Sequence, residues 1–133
     1  MHFQQRVLFV DDHEDTRALV APMLDACEVK TASNYGDGLR LAAGEKFNLI
    51  LLDYYLPDGN GLDLCSQIRA FDITTPILIV TATHSIEHKT AIKTGAQGVL
   101  KKDHLAYLLP AAIARALEVG FEIAAARKSG LKP

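Results

Sequence analysis

Acidic, hydroxyl and ammonium side chains follow four short apolar runs of this 133-residue sequence. They are Asp11 and Asp12 after the run 7–10, Asp53 after 49–52, Thr81 after 77–80, and Lys101–Lys102 after 99–100. Carboxylates held close together repel one another unless a cation shares them. Oxygen ligands at this density suit Mg²⁺, which uses a few carboxylates and keeps several waters. If the four positions converge in the fold, the sequence predicts a magnesium site.

The hydroxyl and the ammonium add a second kind of chemistry to the three carboxylates. A transferring phosphoryl group is stabilised by cations and hydrogen-bond donors around its equatorial oxygens. Thr81 and the lysine pair 101–102 are residues of these types. A carboxylate can act as the nucleophile that accepts a phosphoryl group, and Asp53 is the central carboxylate of the three. The residue types therefore favour phosphoryl transfer onto Asp53.

Alternating strand and helix patterns supply the elements that must position these side chains. The apolar runs are continuous, which is typical of strands covered on both faces, and a weaker strand is predicted at Val29–Thr31. The helical segments between them include one marked by Leu19, Met23 and Leu24 with Cys27 near its end, one marked by Ile86, Thr90 and Ile92, and a last one over about 105–121.

Five such alternations predict an α/β fold, a doubly wound five-stranded parallel sheet with helices on both faces. In an open parallel sheet, ligands bind at the carboxyl ends of the strands. The acids, the threonine and the lysines all follow strands, so we expect them to meet at one edge.

Composition narrows the function classes. The length predicts one domain, and a balance of 14 basic against 16 acidic residues, net charge −2, does not favour direct nucleic-acid binding. No apolar run approaches the roughly 20 residues that cross a bilayer, and residues 1–6 lack a signal-peptide core. Cys27 and Cys65 match no metal or redox spacing, which favours a reducing compartment. We therefore expect a cytoplasmic protein with no membrane partner.

Four motifs, in order, resemble the receiver domain of two-component response regulators over about residues 6 to 120. They are the acid pair Asp11–Asp12, Asp53 followed by Leu56–Pro57 and Gly61, the pair Thr81–Ala82, and the segment Gly95–Lys102. Each motif alone is weak, whereas the set at these spacings is specific. The resemblance implies a flavodoxin-like fold of five strand–helix units.

The resemblance also implies metal-binding roles at the strand ends. Asp53 would be the phosphorylated residue and would contribute to Mg²⁺ binding. Asp12 would be a direct ligand, and Asp11 would act mainly through water. The backbone carbonyl of Tyr55 would complete the protein's share of the metal shell.

Roles in phosphate binding follow from the same resemblance. Thr81 would bond to the phosphoryl group. Lys102, seven residues after Gly95, lies at the family's spacing for the phosphate-binding lysine. Lys101 would then point the other way, because successive side chains of a strand alternate.

Three residues near the site are expected to modulate it. Val99 occupies the position where the family often has Tyr or Phe, so it lacks the aromatic ring that in the family turns inward as the threonine moves toward the phosphoryl group. Tyr55 and Thr83 flank the site, two residues after Asp53 and Thr81. Tyr55 is bulkier than the small polar residues often found there, and we expect it to shield an acyl phosphate from water.

The implied activity is signalling and not turnover of a substrate. A sensor histidine kinase or a histidine phosphotransfer domain would donate the phosphoryl group, and the receiver would catalyse its own phosphorylation and dephosphorylation. Residues 1–120 would form the receiver. Residues 121–133 would extend the last helix as a tail, a linker to an output domain or a homodimer contact.

Two other functions remain open on the sequence alone. One is an interaction module that keeps the fold without signalling through phosphate. The other is a Mg²⁺-dependent phosphohydrolase of the aspartyl-phosphate type, although Tyr55 lies where such enzymes need a second acid. A dinucleotide-binding domain is excluded, because Asp11–His13 follow the first strand in place of a glycine-rich turn.

Overall fold

The computed structural model describes residues 5–23, 27–82 and 88–104, together with 110–111 and 114–115. Seven strands and four α-helices lie in the described part of residues 5–104. In chain order they are β1 (Gln5–Val10), α1 (Glu14–Met23), β2 (Cys27–Ala32), α2 (Tyr35–Gly44), β3 (Leu49–Asp53), β4 (Tyr55–Leu56), β5 (Gly59–Asn60), α3 (Gly61–Arg69), β6 (Ile77–Thr81), α4 (His88–Lys93) and β7 (Gly98–Lys101), followed by a 3-10 turn over Lys102–His104.

Five of the strands form one sheet in the order β2-β1-β3-β6-β7. Every neighbouring pair in that sheet is parallel, which confirms the predicted fold class. From β1 the chain steps outward to β2 and then back across to β3, so the strand order reverses between β1 and β3. Such a reversal opens a crevice at the carboxyl edge of the sheet. Strands β4 and β5 form a separate two-stranded antiparallel hairpin.

Both faces of the sheet are buried, which explains why the strands are continuously apolar. In β1, Leu8 and Val10 pack into one core cluster, while Val7 and Phe9 pack into a second cluster on the opposite face. The first cluster includes residues of α2, α3 and α4, and the second includes Val20 of α1. Because side chains alternate along a strand, only a continuous apolar run can fill both layers.

Two helices begin at asparagine caps. The Asn34 side chain accepts a hydrogen bond from the Asp37 N–H at 2.8 Å, and the Asn60 side chain accepts one from the Asp63 N–H at 2.8 Å. Each cap satisfies one of the N–H groups that a helix start leaves without a partner. The Asn60 cap fixes the start of α3 directly after the hairpin.

Two sequence assignments are wrong at the level of elements. Cys27 is the first residue of β2, in register with Gln5 of β1, and does not lie near the end of the first helix. In α4 the buried residue is Ala91, whereas Thr90 and Ile92 are exposed. A helix of only six residues is too short for its buried face to be read from spacing.

The predicted last helix lies largely outside the described residues. Residues 110–111 and 114–115 are helical, but the expected boundary near residue 120 and the extension over 121–133 are not described. In the part of the chain that the structure describes, no helix is both long and apolar enough to span a membrane.

Candidate functional site

The predicted site residues lie at the carboxyl ends of the central strands. Asp11 directly follows β1, Asp53 ends β3, Thr81 ends β6 and Lys102 directly follows β7. Asp53 is in register with Val80, the residue before Thr81. Since β1, β3, β6 and β7 are neighbours in the sheet, the strands deliver these side chains to one edge.

Three of these polar side chains are buried. Asp11, Asp53 and Thr81 are 0%, 2% and 1% exposed, and they are the buried polar or charged residues of the described ranges. Buried charges are costly unless they are paired or share a cation. Asp12, in contrast, keeps 36% of its side chain exposed. The site therefore has two carboxylates buried at its base, Asp11 and Asp53, and a third, Asp12, exposed at its opening.

Lys102 provides the positive charge closest to the floor of the site. Its Nζ donates a hydrogen bond to Asp53 Oδ2 at 3.2 Å and lies 3.2 Å from Asp11 Oδ2. Only 16% of the lysine side chain is exposed. One ammonium thus faces two buried carboxylates. Lys102 makes both ion pairs.

The Asp53 carboxyl holds its proton more tightly than an ordinary aspartic acid. Burial is the main cause, the Asp11 charge adds to it, and Lys102 opposes it, so the pKa rises from 3.8 to about 6. A carboxylate that is costly to ionise gains most from a nearby cation. The charge of Lys102 alone therefore does not fully offset the negative charge of the site, and a further cation would stabilise it.

The residues at this edge fit a divalent cation. Oxygens of Asp11, Asp12 and Asp53 and the ring nitrogen of His13 all lie within 4.8 Å of one another. Asp11 Oδ2 is buried and receives no hydrogen bond from any described residue. Carboxylate oxygens are the donors that Mg²⁺ prefers. A bound Mg²⁺ would be held by these three acids.

His13 belongs to the cluster, although sequence reasoning did not select it. Its Nδ1 lies 3.2 Å from Asp11 Oδ1, 3.1 Å from Asp12 Oδ1 and 3.7 Å from Asp53 Oδ2. Its backbone N–H also donates to Asp11 Oδ1 at 2.8 Å. The only signal in the sequence is its position directly after the acid pair, which alone does not show where the ring points.

The predicted modulating residues have different environments. Tyr55 begins β4 and is 57% exposed, and its ring meets that of Tyr54 edge to face with 4.6 Å between centroids. Val99 is half-buried, packs against the first core cluster and is in register with Ile79. Thr83 lies outside the described residues.

A second contact that the sequence did not predict anchors the hairpin next to Asp53. Asp58 accepts hydrogen bonds from the backbone N–H groups of Tyr35 and Gly36, at 2.6 and 3.0 Å. These bonds lower the pKa of the Asp58 carboxyl. The Tyr35 hydroxyl donates to Asp63 Oδ2 at 2.6 Å, and burial together with this bond raises the tyrosine pKa to about 12. The start of α2 thereby holds both the hairpin and α3.

The fold and the site together define a flavodoxin-like α/β protein with an acid cluster and a lysine at the carboxyl edge of its sheet. The family model described as "Response regulator receiver domain" matches residues 7–114. The chain therefore belongs to the family of response regulator receiver domains, as its motifs predicted.

Curated relatives of the chain are response regulators. It is 38% identical over 102 residues to the response regulator protein PilR of Pseudomonas aeruginosa, covering 74% of this chain and 23% of that protein. It is 34% identical over 102 residues to the nitrate/nitrite response regulator protein NarL of Escherichia coli K12, covering 73% of this chain and 47% of that protein. The chain thus matches less than half the length of either relative.

Solved structures show the same fold. A CheY-like response regulator receiver domain protein from Methanospirillum hungatei superposes with a TM-score of 0.80 at 26% identity, covering 90% of this chain and 98% of that one. NtrX from Brucella abortus gives a TM-score of 0.85 at 27% identity, covering 95% of this chain and 29% of that one. Receiver domains of this family are signalling modules.

Proposed function

We propose that this receiver accepts a phosphoryl group from a phosphohistidine onto Asp53 in a Mg²⁺-dependent reaction. The observation that carries the proposal is the Asp53 carboxyl, 2% exposed, bonded to Lys102 at 3.2 Å and part of the three-acid cluster. The donor is a sensor histidine kinase or a histidine phosphotransfer domain. The protein is cytoplasmic in this proposal, because such donors phosphorylate their receivers inside the cell.

Asp53 is the nucleophile of the transfer. One of its carboxylate oxygens forms a bond to phosphorus while the bond from phosphorus to the donor's imidazole nitrogen breaks, and the imidazole leaves. Asp12, Asp53 and the Tyr55 carbonyl would hold Mg²⁺ directly, and Asp11 would act mainly through water. When bound, Mg²⁺ supplies positive charge to the phosphoryl oxygens.

Lys102 and Thr81 bind the product of the transfer. In the unphosphorylated protein the Lys102 ammonium donates a hydrogen bond to Asp53 Oδ2. It therefore already lies beside the carboxylate that accepts the phosphoryl group. It then pairs with a phosphate oxygen, where its charge offsets the added negative charge. Thr81 ends the neighbouring strand, and its hydroxyl donates a hydrogen bond to another phosphate oxygen.

Output follows from a shift between two surface conformations of the receiver. Val99, half-buried against the core, cannot report phosphorylation as an inward-turning aromatic ring would. Switching therefore proceeds from Thr81 without an aromatic reporter. An output domain or a second copy of the chain receives the signal through the last helix.

Intact mass after incubation with a small phosphodonor tests this function. The full chain is treated with acetyl phosphate and Mg²⁺, alongside Asp53→Asn and a sample in excess chelator. We expect one added phosphoryl group in the first sample and none in the other two. If acetyl phosphate and a panel of phosphorylated histidine phosphotransfer domains all leave the mass unchanged, the chain is an interaction module and the proposal is wrong. Modification that survives in Asp53→Asn would also contradict it.

A further inference from the structure

His13 places a ring nitrogen at ligand distances among the three acids. In an octahedral shell with ligand atoms about 2.1 Å from the ion, neighbouring ligand atoms lie about 3 Å apart and opposite ones about 4.2 Å apart. The Nδ1 distances to Asp12, Asp11 and Asp53 are 3.1, 3.2 and 3.7 Å. The first two match the neighbouring spacing, and the third lies between the two spacings, nearer the opposite one. Nδ1 therefore lies where another ligand of the same cation would lie.

Two hydrogen bonds fix the backbone of His13. The His13 N–H donates to Asp11 Oδ1 at 2.8 Å, and its carbonyl accepts from Arg17 N–H at 3.2 Å in the first turn of α1. The side chain is 59% exposed on its outer side. Because the outer side of the ring is open to solvent, an ion can enter the cluster. Water molecules can then fill its remaining ligand positions.

Two contacts show that the cluster can present electron pairs to a cation. Asp11 is fully buried, and its Oδ2 receives no hydrogen bond from any described residue and is paired with Lys102 by charge at 3.2 Å. The same Lys102 Nζ lies 3.3 Å from His13 Nδ1. The roles at Nδ1 depend on the tautomer, because Nδ1 also lies 3.2 Å from Asp11 Oδ1. In the tautomer that carries its proton on Nε2, Nδ1 has the free electron pair that a metal ion takes.

We propose that His13 Nδ1 is a direct ligand of the divalent cation and makes this receiver select Mn²⁺-type ions over Mg²⁺ more strongly than its carboxylates alone would. Mg²⁺ is a hard ion that favours an all-oxygen shell, whereas first-row transition ions accept imidazole readily. The inference rests on the proposed function, because it concerns the cation of that same site. It assigns to His13 a ligand role that neither its exposure nor its sequence position indicates.

Metal binding to the full chain tests the proposal without using phosphorylation as the readout. Mn²⁺ affinity is measured from the free-ion electron paramagnetic resonance signal, and Mg²⁺ affinity from competition against Mn²⁺. The variants are His13→Gln and, as a matched control, His88→Gln, an exposed histidine of α4 outside the four-residue cluster. Circular dichroism checks that each variant is folded.

We expect His13→Gln to weaken Mn²⁺ binding by about tenfold and Mg²⁺ binding by less than about threefold. His88→Gln should match the unaltered protein for both ions. Pulsed electron paramagnetic resonance of the Mn²⁺-loaded protein should show coupling to one histidine nitrogen. That coupling should persist in His88→Gln and disappear in His13→Gln.

Three results would overturn the proposal in distinguishable ways. Equal weakening of both ions in His13→Gln would show that the ring acts on the cluster as a whole and does not select the metal. A second contrary result would be normal metal binding by His13→Gln, loss of binding in Asp12→Asn, and no nitrogen coupling in the unaltered protein. It would show that His13 is not a metal ligand, and the proposed phosphoacceptor function would be unaffected. Failure of the unaltered protein to bind either ion would contradict both the inference and the Mg²⁺ dependence of the proposed function.

Discussion

A Cβ atom on Gly61 would lie 2.4 Å from the backbone oxygen of Asp53. Gly61 is the first residue of α3, and its N–H donates to the carbonyl of Tyr54 at 2.8 Å. The start of α3 thus lies directly against the backbone of the predicted phosphoacceptor. No rotation of a side chain can relieve a contact between a Cβ atom and a backbone oxygen, so glycine is required here by close approach.

Gly61→Ala is therefore expected to destabilise the protein and displace Asp53. Overpacking of this kind costs about 1–3 kcal/mol, which urea unfolding measures. Phosphorylation by acetyl phosphate should slow in parallel. The control is Gly44→Ala at the end of α2, where an added Cβ would meet no described atom within 4 Å. That variant should be as stable as the unaltered chain or slightly more so. Equal stability of the two variants would show that α3 shifts freely.

Asp53→Asn should stabilise the metal-free protein at pH 7.5. The folded state raises the Asp53 pKa to about 6, so it binds a proton more tightly than the unfolded chain does. Stability from this group is therefore greatest below the unfolded pKa of about 3.9 and is lost as the pH rises through 6. Replacing the carboxylate by a neutral amide removes that loss, on the order of 2 kcal/mol after solvent screening.

Thermal unfolding in excess chelator at several pH values checks this prediction. The gain in Tm of Asp53→Asn over the unaltered chain should shrink as the pH falls through 6 and vanish near pH 4. Added Mg²⁺ should raise the Tm of the unaltered chain more than that of the variant, because the cation offsets the charge of Asp53. A gain that does not change with pH would mean that the amide stabilises through packing and not through charge.

Much of the site could be predicted from the sequence because strand ends converge by topology alone. Continuous apolar runs require strands covered on both faces, such strands are parallel, and the carboxyl ends of parallel strands meet at one edge. Asp11, Asp53, Thr81 and Lys102 therefore come together whatever their side-chain conformations are. The family motifs distinguish between the two adjacent lysines, because only Lys102 lies at the family's spacing.

The remaining features depend on contacts that local patterns do not carry. The ring of His13 is placed by side chains from three separate strand ends. Asp58 meets the backbone of Tyr35 from 23 residues away along the chain. Strands β4 and β5 have two residues each, too few for any period to be visible. Cys27 follows a helical pattern, and an apolar residue at that point fits the end of a helix as well as the start of a strand.

Asp58→Asn should weaken the contact between the hairpin and the start of α2. The two backbone N–H groups that Asp58 accepts from belong to the first residues of that helix, where a carboxylate is also favoured by the helix dipole. We expect the Tm at pH 7 to fall by about 4 °C. Because the folded pKa of Asp58 is lowered, its contribution is present above the unfolded pKa of about 3.9 and is lost as the pH falls through the lower folded value.

Differential scanning calorimetry at pH 7 and pH 3 measures the Asp58 contribution. The difference in Tm between Asp58→Asn and the unaltered chain should be clearly smaller at the acidic pH. The same difference at both values would mean that the shape of the side chain, and not its charge, holds the two N–H groups.

Tyr55 should lengthen the life of the acyl phosphate on Asp53. Its ring follows Asp53 by two residues, is 57% exposed and is braced edge to face by Tyr54. We expect a bulky ring at this position to hinder the approach of water to the phosphorus, whereas a small polar side chain would leave the approach open and bind the water. We expect Tyr55→Asn to speed dephosphorylation by about tenfold, equivalent to about 1.4 kcal/mol in the barrier.

Tyr55→Phe keeps the ring and loses only the hydroxyl, so its rate should match that of the unaltered chain. Ile73→Asn replaces another exposed apolar residue, at 56% exposure, and should also leave the rate unchanged. The measurement is the decay of phosphorylated protein by intact mass after removal of acetyl phosphate. An unchanged rate in Tyr55→Asn would show that water reaches the phosphorus by a path that this ring does not cover.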